Sequence, residues 1–413
     1  MASRNVAAKQ VGRRKSSDIV MPVDGEGPVN NDEQQPTSSK VVKKKKKKTQ
    51  EEEEHEETKT HRAHESKPDI RKPDGKADTP DKKADSFMDQ GSTSSASASK
   101  KVVTDIWINP KETVNWNLDS LVTLNVLGRG SFGIVYLVRH RVNRQLAALK
   151  YIRKKNQNPE KERKRVDIEK AVWEAVTDHP FVVTFRAYFE TAKGWCFVME
   201  YLPEGSIRDL VRKKGPFKEE TARLLSAQVA LAIQHVHEKG FLHRDISSSN
   251  VLIDSRGNAK LIDFGLSQVG TEAWCRCGSL AYMAPEVIRQ ELYGMSADWW
   301  SFGIVLFVML VGKTPLAIYA AEKGVDLHLA RRDIRYRLAL IAPLKIPRSL
   351  SRSAQTLLRE ILKENPKRRL GSRPEGGFDD LMKSSFYAAI DWTEVSCGSL
   401  PSTTREDGSN LST

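Results

Sequence analysis

Aromatic residues are almost missing from the first quarter of this 413-residue chain. All eight tryptophans and all nine tyrosines lie after residue 100, and Phe87 is the sole aromatic before it. Such a stretch cannot bury enough apolar surface to offset its ordering entropy, so residues 1–103 are expected to form a disordered, charged tail. Cysteine is scarce: four in the whole chain exclude a disulfide scaffold and fit a reducing compartment. Long apolar runs are lacking too. The longest, Phe302 to Val311, falls far short of the roughly 18 residues a membrane span needs, so no transmembrane segment is expected. The opening Met-Ala-Ser-Arg-Asn-Val holds no apolar signal core, and Ala2 stands where myristoylation demands glycine. These absences point to a cytoplasmic protein, with a nuclear location as the alternative.

Charge is abundant but uneven. The net charge is +14, yet residues 1–100 hold 21 Lys+Arg against 18 Asp+Glu, so most of the basic excess lies downstream. Within the tail, Lys43 to Lys48 is an unbroken lysine run, followed by Glu51–Glu54, Glu56 and Glu57. A solvated, self-neutralising tract is the plain reading; weak contact with an anionic surface or an import factor is the alternative. The acidic block competes for the same lysines, which argues against a strong nucleic-acid footprint.

Order is expected from about Trp107 and Trp116 onward. Val122–Leu127, Ile134–His140 and Leu146–Ile152 are rich in β-branched and apolar residues and read as strands, with Asn143-Arg144 as a hairpin connection. Between the first two strands runs Leu127-Gly128-Arg129-Gly130-Ser131-Phe132-Gly133-Ile134-Val135. Glycines there let backbone approach a phosphate chain closely, although ordinary hairpins also carry spaced glycines. Lys150 ends the third strand, 22 residues after Gly128. Glu169 follows in a helical stretch, Lys161 to Val176, marked by Ile168, Val172 and Val176. Alone, each is an ordinary surface charge; together, a strand lysine and a helix glutamate can hold two phosphates of a nucleotide. Further strands run through Phe185 and Cys196–Met199, before a connector from Glu200 to Gly205. Ala222 to Glu238 is then helical by its Leu225, Val229, Ile233 and Val236 spacing, with Gly240 as its C-terminal stop.

The remaining motifs come in sequence. His243-Arg244-Asp245 is followed by Asn250, Asp263-Phe264-Gly265 comes next, and Ala284-Pro285-Glu286 lies 21 residues past Asp263. In order and spacing the series resembles a eukaryotic protein kinase domain over roughly residues 121–386, an α+β, two-lobed fold with a β-rich N-lobe (121–199) and a helical C-lobe (203–386). Asp298-Trp299-Trp300, Asn365 through Gly371 and Ile390-Asp391-Trp392 are similar to the AGC group of serine/threonine kinases. That group usually continues into a phenylalanine-rich C-terminal tail. Here residues 393–413 contain no phenylalanine and are expected to be a short flexible tail.

The resemblance implies ATP and Mg²⁺ as cofactors, a protein substrate, and a role for each motif. Leu127, Gly128, Gly130 and Gly133 would cover the nucleotide, and Lys150, oriented by Glu169, would hold the α and β phosphates. Asn250 and Asp263 would bind magnesium, as hard oxygen ligands do. Asp245 would steer or accept the proton of the substrate hydroxyl. Val135, Ala148 and Leu252 would sandwich adenine, with the backbone of Glu200 to Leu202 reading its edge. Trp173, Phe185, His243 and Phe264 would stack between the lobes, Glu286 and Arg369 would form a buried ion pair, and Ile304 to Val311 would be a core helix.

Departures from the pattern bear on activity. Ser247 stands where serine/threonine kinases carry a lysine aimed at the transferred phosphate, and the neighbouring Ser248 and Ser249 supply no cation. Ser206, Ser249 and Val308 replace the acids that meet arginine-bearing substrates in AGC kinases. Cys275 replaces the activating threonine, so Arg244 needs another anion; Glu272 is the sequence candidate, with Thr271 as a phosphosite. Cys275 and Cys277 alone cannot close a four-ligand zinc site. The expected activity is phosphorylation of serine or threonine; a pseudokinase or nucleotide-binding scaffold is the alternative, and a polybasic adaptor role for residues 1–100 is compatible with either.

Overall fold

The computed structural model describes residues 103–130, 133–155, 157–326, 345–372 and 376–398. Residues 1–102 of the expected tail, with Lys43–Lys48, lie outside them, as do Ser131, Phe132 and residues 399–413.

One antiparallel sheet dominates the first lobe. Its strands are β1 (Val103–Ile108), β2 (Leu121–Gly130), β3 (Gly133–His140), β4 (Leu146–Arg153), β5 (Phe185–Thr191) and β6 (Gly194–Glu200), ordered β1-β5-β6-β4-β3-β2. Strand β1 pairs Ile106 with Phe189 and Ile108 with Ala187, so the folded unit begins well before residue 121. Alternation along β4 decides the placement of chemistry. Ala147, Leu149 and Tyr151 pack with Trp116, Val138 and Phe189 on one face, while Ala148 and Ile152 pack on the other against the helix side. Lys150 shares the parity of that second pair.

Helix α1 (Pro159–Val176) begins with proline at its first turn and Asn158 as N-cap, whose side chain accepts from the Lys161 N–H. It buries Val166, Glu169, Val172, Trp173 and Val176, a single helical stripe with one carboxylate in it.

The second lobe is helical, with short strand pairs. After α2 (Ile207–Lys214), α3 (Glu219–Glu238) ends at Gly240, whose positive φ of +79° suits glycine. Strands β7 (Phe241–Leu242), β8 (Val251–Ile253) and β9 (Ala259–Leu261) follow; β8 and β9 pair with each other. The core helix runs over Ser296–Val311, longer than its apolar run alone, and all but three of its residues are buried. A buried cluster joins Val229, Ile233, Phe302, Val305, Leu306, Leu357 and Ile361.

The expected flexible tail starts too early. Trp392–Ser396 is helical, with Asp391 Oδ1 capping the N–H groups of Thr393 and Glu394. Val395 is buried and Trp392 packs edge-on against Tyr387 at 5.2 Å, which anchors the turn to the second lobe. A cap and two apolar anchors suffice to order a single turn.

Candidate active site

Lys150 is the meeting point. The parity of β4 turns its side chain under α1, where Nζ lies 2.6 Å from Glu169 Oε1 and 2.7 Å from Asp263 Oδ1. Burial alone would lower the lysine, but the charges of Asp263 and Glu169 reverse that and hold it well above its ordinary range. One cation serves two carboxylates. Asp263, although desolvation opposes it, is held below the usual range by Lys150, whereas burial pushes the enclosed Glu169 up. Glu169 Oε2 has no hydrogen-bond partner among the described residues.

Asp263 follows β9 in a left-handed conformation, φ +65°, and its Oδ1 accepts from the Gly265 N–H at 3.3 Å. A Cβ on Gly265 would meet Asp263 Oδ1, Glu169 Oε2 and Lys150 Nζ at 3.2–3.3 Å, so only glycine leaves this charge cluster uncrowded. Between Asp263 and Gly265, Phe264 is buried and stands 5.9 Å from Trp173 and 5.1 Å from His243, while Trp173 stacks on Phe185 at 5.1 Å. This aromatic column links α1 to the loop that carries Asp245.

That loop, between β7 and β8, is held by a residue that the sequence motifs included without a role. Asp298, in the first turn of the core helix, accepts the His243 N–H at Oδ2 and the Arg244 N–H at Oδ1, both at 2.9 Å. His237 Nε2 is also 2.9 Å from Oδ2. Burial would raise Asp298, but the bond to His237 and the N–H of His243 hold it below the usual carboxylate range. Asp245 is thereby presented with both oxygens oriented: Oδ1 accepts the Ser279 N–H at 2.8 Å and Oδ2 accepts Asn250 Nδ2 at 3.0 Å. Asn250 Nδ2 also donates to the Asp245 carbonyl at 2.8 Å. Desolvation raises Asp245 despite the opposing Ser279 bond.

The glycine hairpin pairs Gly128 with Val135 and Gly130 with Gly133. Only Gly133 is demanded by internal packing, since a Cβ there would lie 2.3 Å from the Tyr151 carbonyl oxygen. Around Gly128 a Cβ would meet nothing within 4 Å. Leu127 is exposed at the hairpin's root, Ala148 and Leu202 are buried, and Val135 and Leu252 pack against the cluster that contains them. Glu200 uses its side chain elsewhere: Oε1 binds Lys260 at 2.6 Å and the Thr184 N–H at 2.7 Å.

Arg244 does not look to Glu272. Its guanidinium donates to the Leu266 carbonyl at 2.7 Å and to Gln268 Oε1 at 2.6 Å, so a neutral amide and a carbonyl serve where an anion was expected. Ser247 is buried, and its hydroxyl has no partner among the described residues. Glu286 and Arg369 form the expected buried pair, bidentate at 2.7 and 3.0 Å. At the rim, Ser248 Oγ lies 2.6 Å from the Tyr282 hydroxyl. Burial raises that tyrosine, opposed by Ser248 and by the charge of Arg208.

The family model described as protein kinase domain matches residues 121–387. Rabbit (Oryctolagus cuniculus) protein kinase C zeta type is 34% identical over 275 residues, covering 65% of this chain and 46% of the relative. The atypical protein kinase C of Drosophila melanogaster is 34% identical over 289 residues, 69% of this chain and 47% of its own. Chicken (Gallus gallus) ribosomal protein S6 kinase 2 alpha is 37% identical over 279 residues, 66% and 35% respectively. The chain thus spans less than half the length of these relatives. With this match across a two-lobed domain whose motifs converge on Lys150, the chain belongs to the protein kinase domain family, and its domain is AGC-like.

Proposed function

We propose that this chain transfers the terminal phosphoryl group of ATP to serine or threonine hydroxyls in proteins. The observation that carries the reading is the Lys150 bridge, which joins Glu169 on α1 to Asp263 from the other lobe, 113 residues after Lys150 in sequence. Phosphoryl transfer asks a protein for positioning and charge compensation more than for covalent chemistry, and this cluster offers both.

The residues present fit a magnesium nucleotide. Asp263 offers a partly exposed carboxylate. Asn250 spends its amide nitrogen on Asp245, which leaves the carbonyl oxygen as a hard donor. The open space beside Gly128 admits a phosphate chain, and Lys150 supplies a fixed cation beneath it. Protein kinases of this family use ATP and Mg²⁺; when bound, the pair supplies the transferable phosphoryl group and offsets its charge.

The chain's own residues then divide the work. Lys150, kept in place by Glu169, would hold the nonreacting phosphates. Asn250 and Asp263 would hold the metal. Asp245, oriented by Ser279 and Asn250 and raised by burial, aligns the incoming hydroxyl and receives its proton. Leu127, Val135, Ala148, Leu202 and Leu252 supply apolar walls for the base. A cytoplasmic location, with nuclear import through Lys43–Lys48 as the alternative, completes the proposal; deleting residues 1–100 and following localisation separates the two.

Ser247 favours a second reading, a pseudokinase, because neither Ser248 nor Ser249 supplies a cation in place of the lysine expected near the moving phosphate. Purified chain with labelled ATP, magnesium and a degenerate serine/threonine peptide library tests the two: measurable transfer supports the kinase, and ATP binding without transfer supports the pseudokinase.

A further inference from the structure

The rim beside Asp245 is cationic at the place where the family resemblance leads one to expect carboxylates. Of the three positions read as lost acids, Ser206 is buried with its hydroxyl donated to Asp209 Oδ2 at 2.6 Å, and Val308 is buried in the second-lobe core. Only Ser249 reaches the rim, and its Oγ accepts from Arg208 Nη1 at 3.4 Å. The Arg208 backbone N–H donates to the Ser248 carbonyl at 2.9 Å. Ser248 in turn meets Tyr282, on the segment whose Ser279 N–H binds Asp245. Arg208 is therefore held by its backbone against the loop that presents Asp245, with its guanidinium at the exposed edge of that loop. Arg208 and Arg212 are both exposed and lie one turn apart on α2, where like charges repel. Among the described residues neither guanidinium meets a carboxylate, since Asp209 is turned back to Ser206.

Resting on the kinase reading above, we propose that Arg208 is a specificity-determining residue that receives a carboxylate or phosphate carried close to the target hydroxyl, so that the preferred substrates are acidic or already phosphorylated protein segments. An anion there gains a charge-assisted bond and relieves the repulsion between Arg208 and Arg212. The basic excess downstream of residue 100 acts in the same direction on approach.

The test uses the full chain, magnesium-ATP and serine peptides that differ at one position within four residues of the target, carrying alanine, glutamate, phosphoserine or arginine. At one or two adjacent positions glutamate should raise kcat/KM about tenfold over alanine, phosphoserine at least as much, and arginine should lower it. Added salt should shrink the preference. Arg208→Glu should invert the glutamate-to-arginine ratio and Arg208→Lys should retain part of it; taking the ratio within one enzyme cancels any general loss of turnover. Equal rates for all peptides, selection for arginine, or an unchanged ratio in Arg208→Glu overturns this inference and leaves the kinase reading standing. Transfer to no peptide at all, with ATP bound, overturns the kinase reading and this inference with it.

Discussion

Replacing Asp298 with asparagine tests whether the catalytic loop depends on one buried carboxylate. Asp298 accepts from two backbone N–H groups, those of His243 and Arg244, and lies 2.9 Å from His237 Nε2. An asparagine of the same shape has one acceptor oxygen. If that oxygen keeps His243 and His237, the amide NH₂ faces the Arg244 N–H, and a buried donor is orphaned at about 1–3 kcal/mol. The surviving bonds fall from charge-assisted to neutral, at roughly 1 kcal/mol each. Asp298→Asn should therefore cost about 3–5 kcal/mol, a large share of the 5–15 kcal/mol typical of a folded domain. Because the His237 bond and the His243 N–H hold the carboxylate below its ordinary value, its contribution is present above about pH 4 and is lost as the pH falls through the depressed value. The stability gap between wild type and variant, measured by urea unfolding, should close below about pH 4. Turnover should drop by about tenfold to a hundredfold at saturating ATP, since the loop loses its register. A gap under about 1 kcal/mol at pH 7, or one that widens in acid, would refute the reasoning.

Three further outcomes follow from the same geometry. Lys150→Met should abolish transfer and also destabilise the domain by roughly 3–5 kcal/mol, because it leaves the fully enclosed Glu169 without its cation; urea midpoints equal to wild type would contradict this. Ser247→Lys should raise turnover by up to about 10²–10³ with little change in ATP affinity, at about 1–3 kcal/mol of stability for the added bulk. Steady-state peptide phosphorylation reads the gain, and no gain means that the missing lysine does not limit the rate. Glu286→Gln should cost about 3 kcal/mol in urea unfolding, at the low end for a broken buried pair, since Arg369 keeps the carbonyls of Ser296, Lys363 and Glu364.

What could be read in the chain was local. The β-branched runs announced β2, β3 and β4, and the short motifs placed Lys150, Asp245, Asn250 and Asp263 in order, because each sits within a few residues of its own signature. Partners far apart in sequence left no such trace unless the resemblance itself paired them, as it did Glu286 and Arg369. Asp298 meets the catalytic loop across 54 and 55 positions, and Lys260 meets Glu200 across 60. Strand β1 reads as a short apolar stretch until β5 supplies its hydrogen bonds. Arg244 was expected to seek an anion nearby in sequence, but the turn after Asp263 brings Gln268 and the Leu266 carbonyl to it instead. The helix at Trp392 was hidden for a similar reason: its stability lies in Tyr387 and the second-lobe core rather than in the propensity of five residues.

The central claim is that Asp263, held ionised beside Lys150, makes phosphoryl transfer possible. Labelled phosphate transferred from ATP to a serine/threonine peptide library, measured for wild type and Asp263→Asn at saturating magnesium, tests it most directly. The account predicts measurable transfer by the wild type and a loss of at least about 10²-fold in the variant, whose unfolding midpoint stays close to wild type. Wild-type rates in Asp263→Asn, or no transfer by wild-type protein that binds ATP, would contradict it.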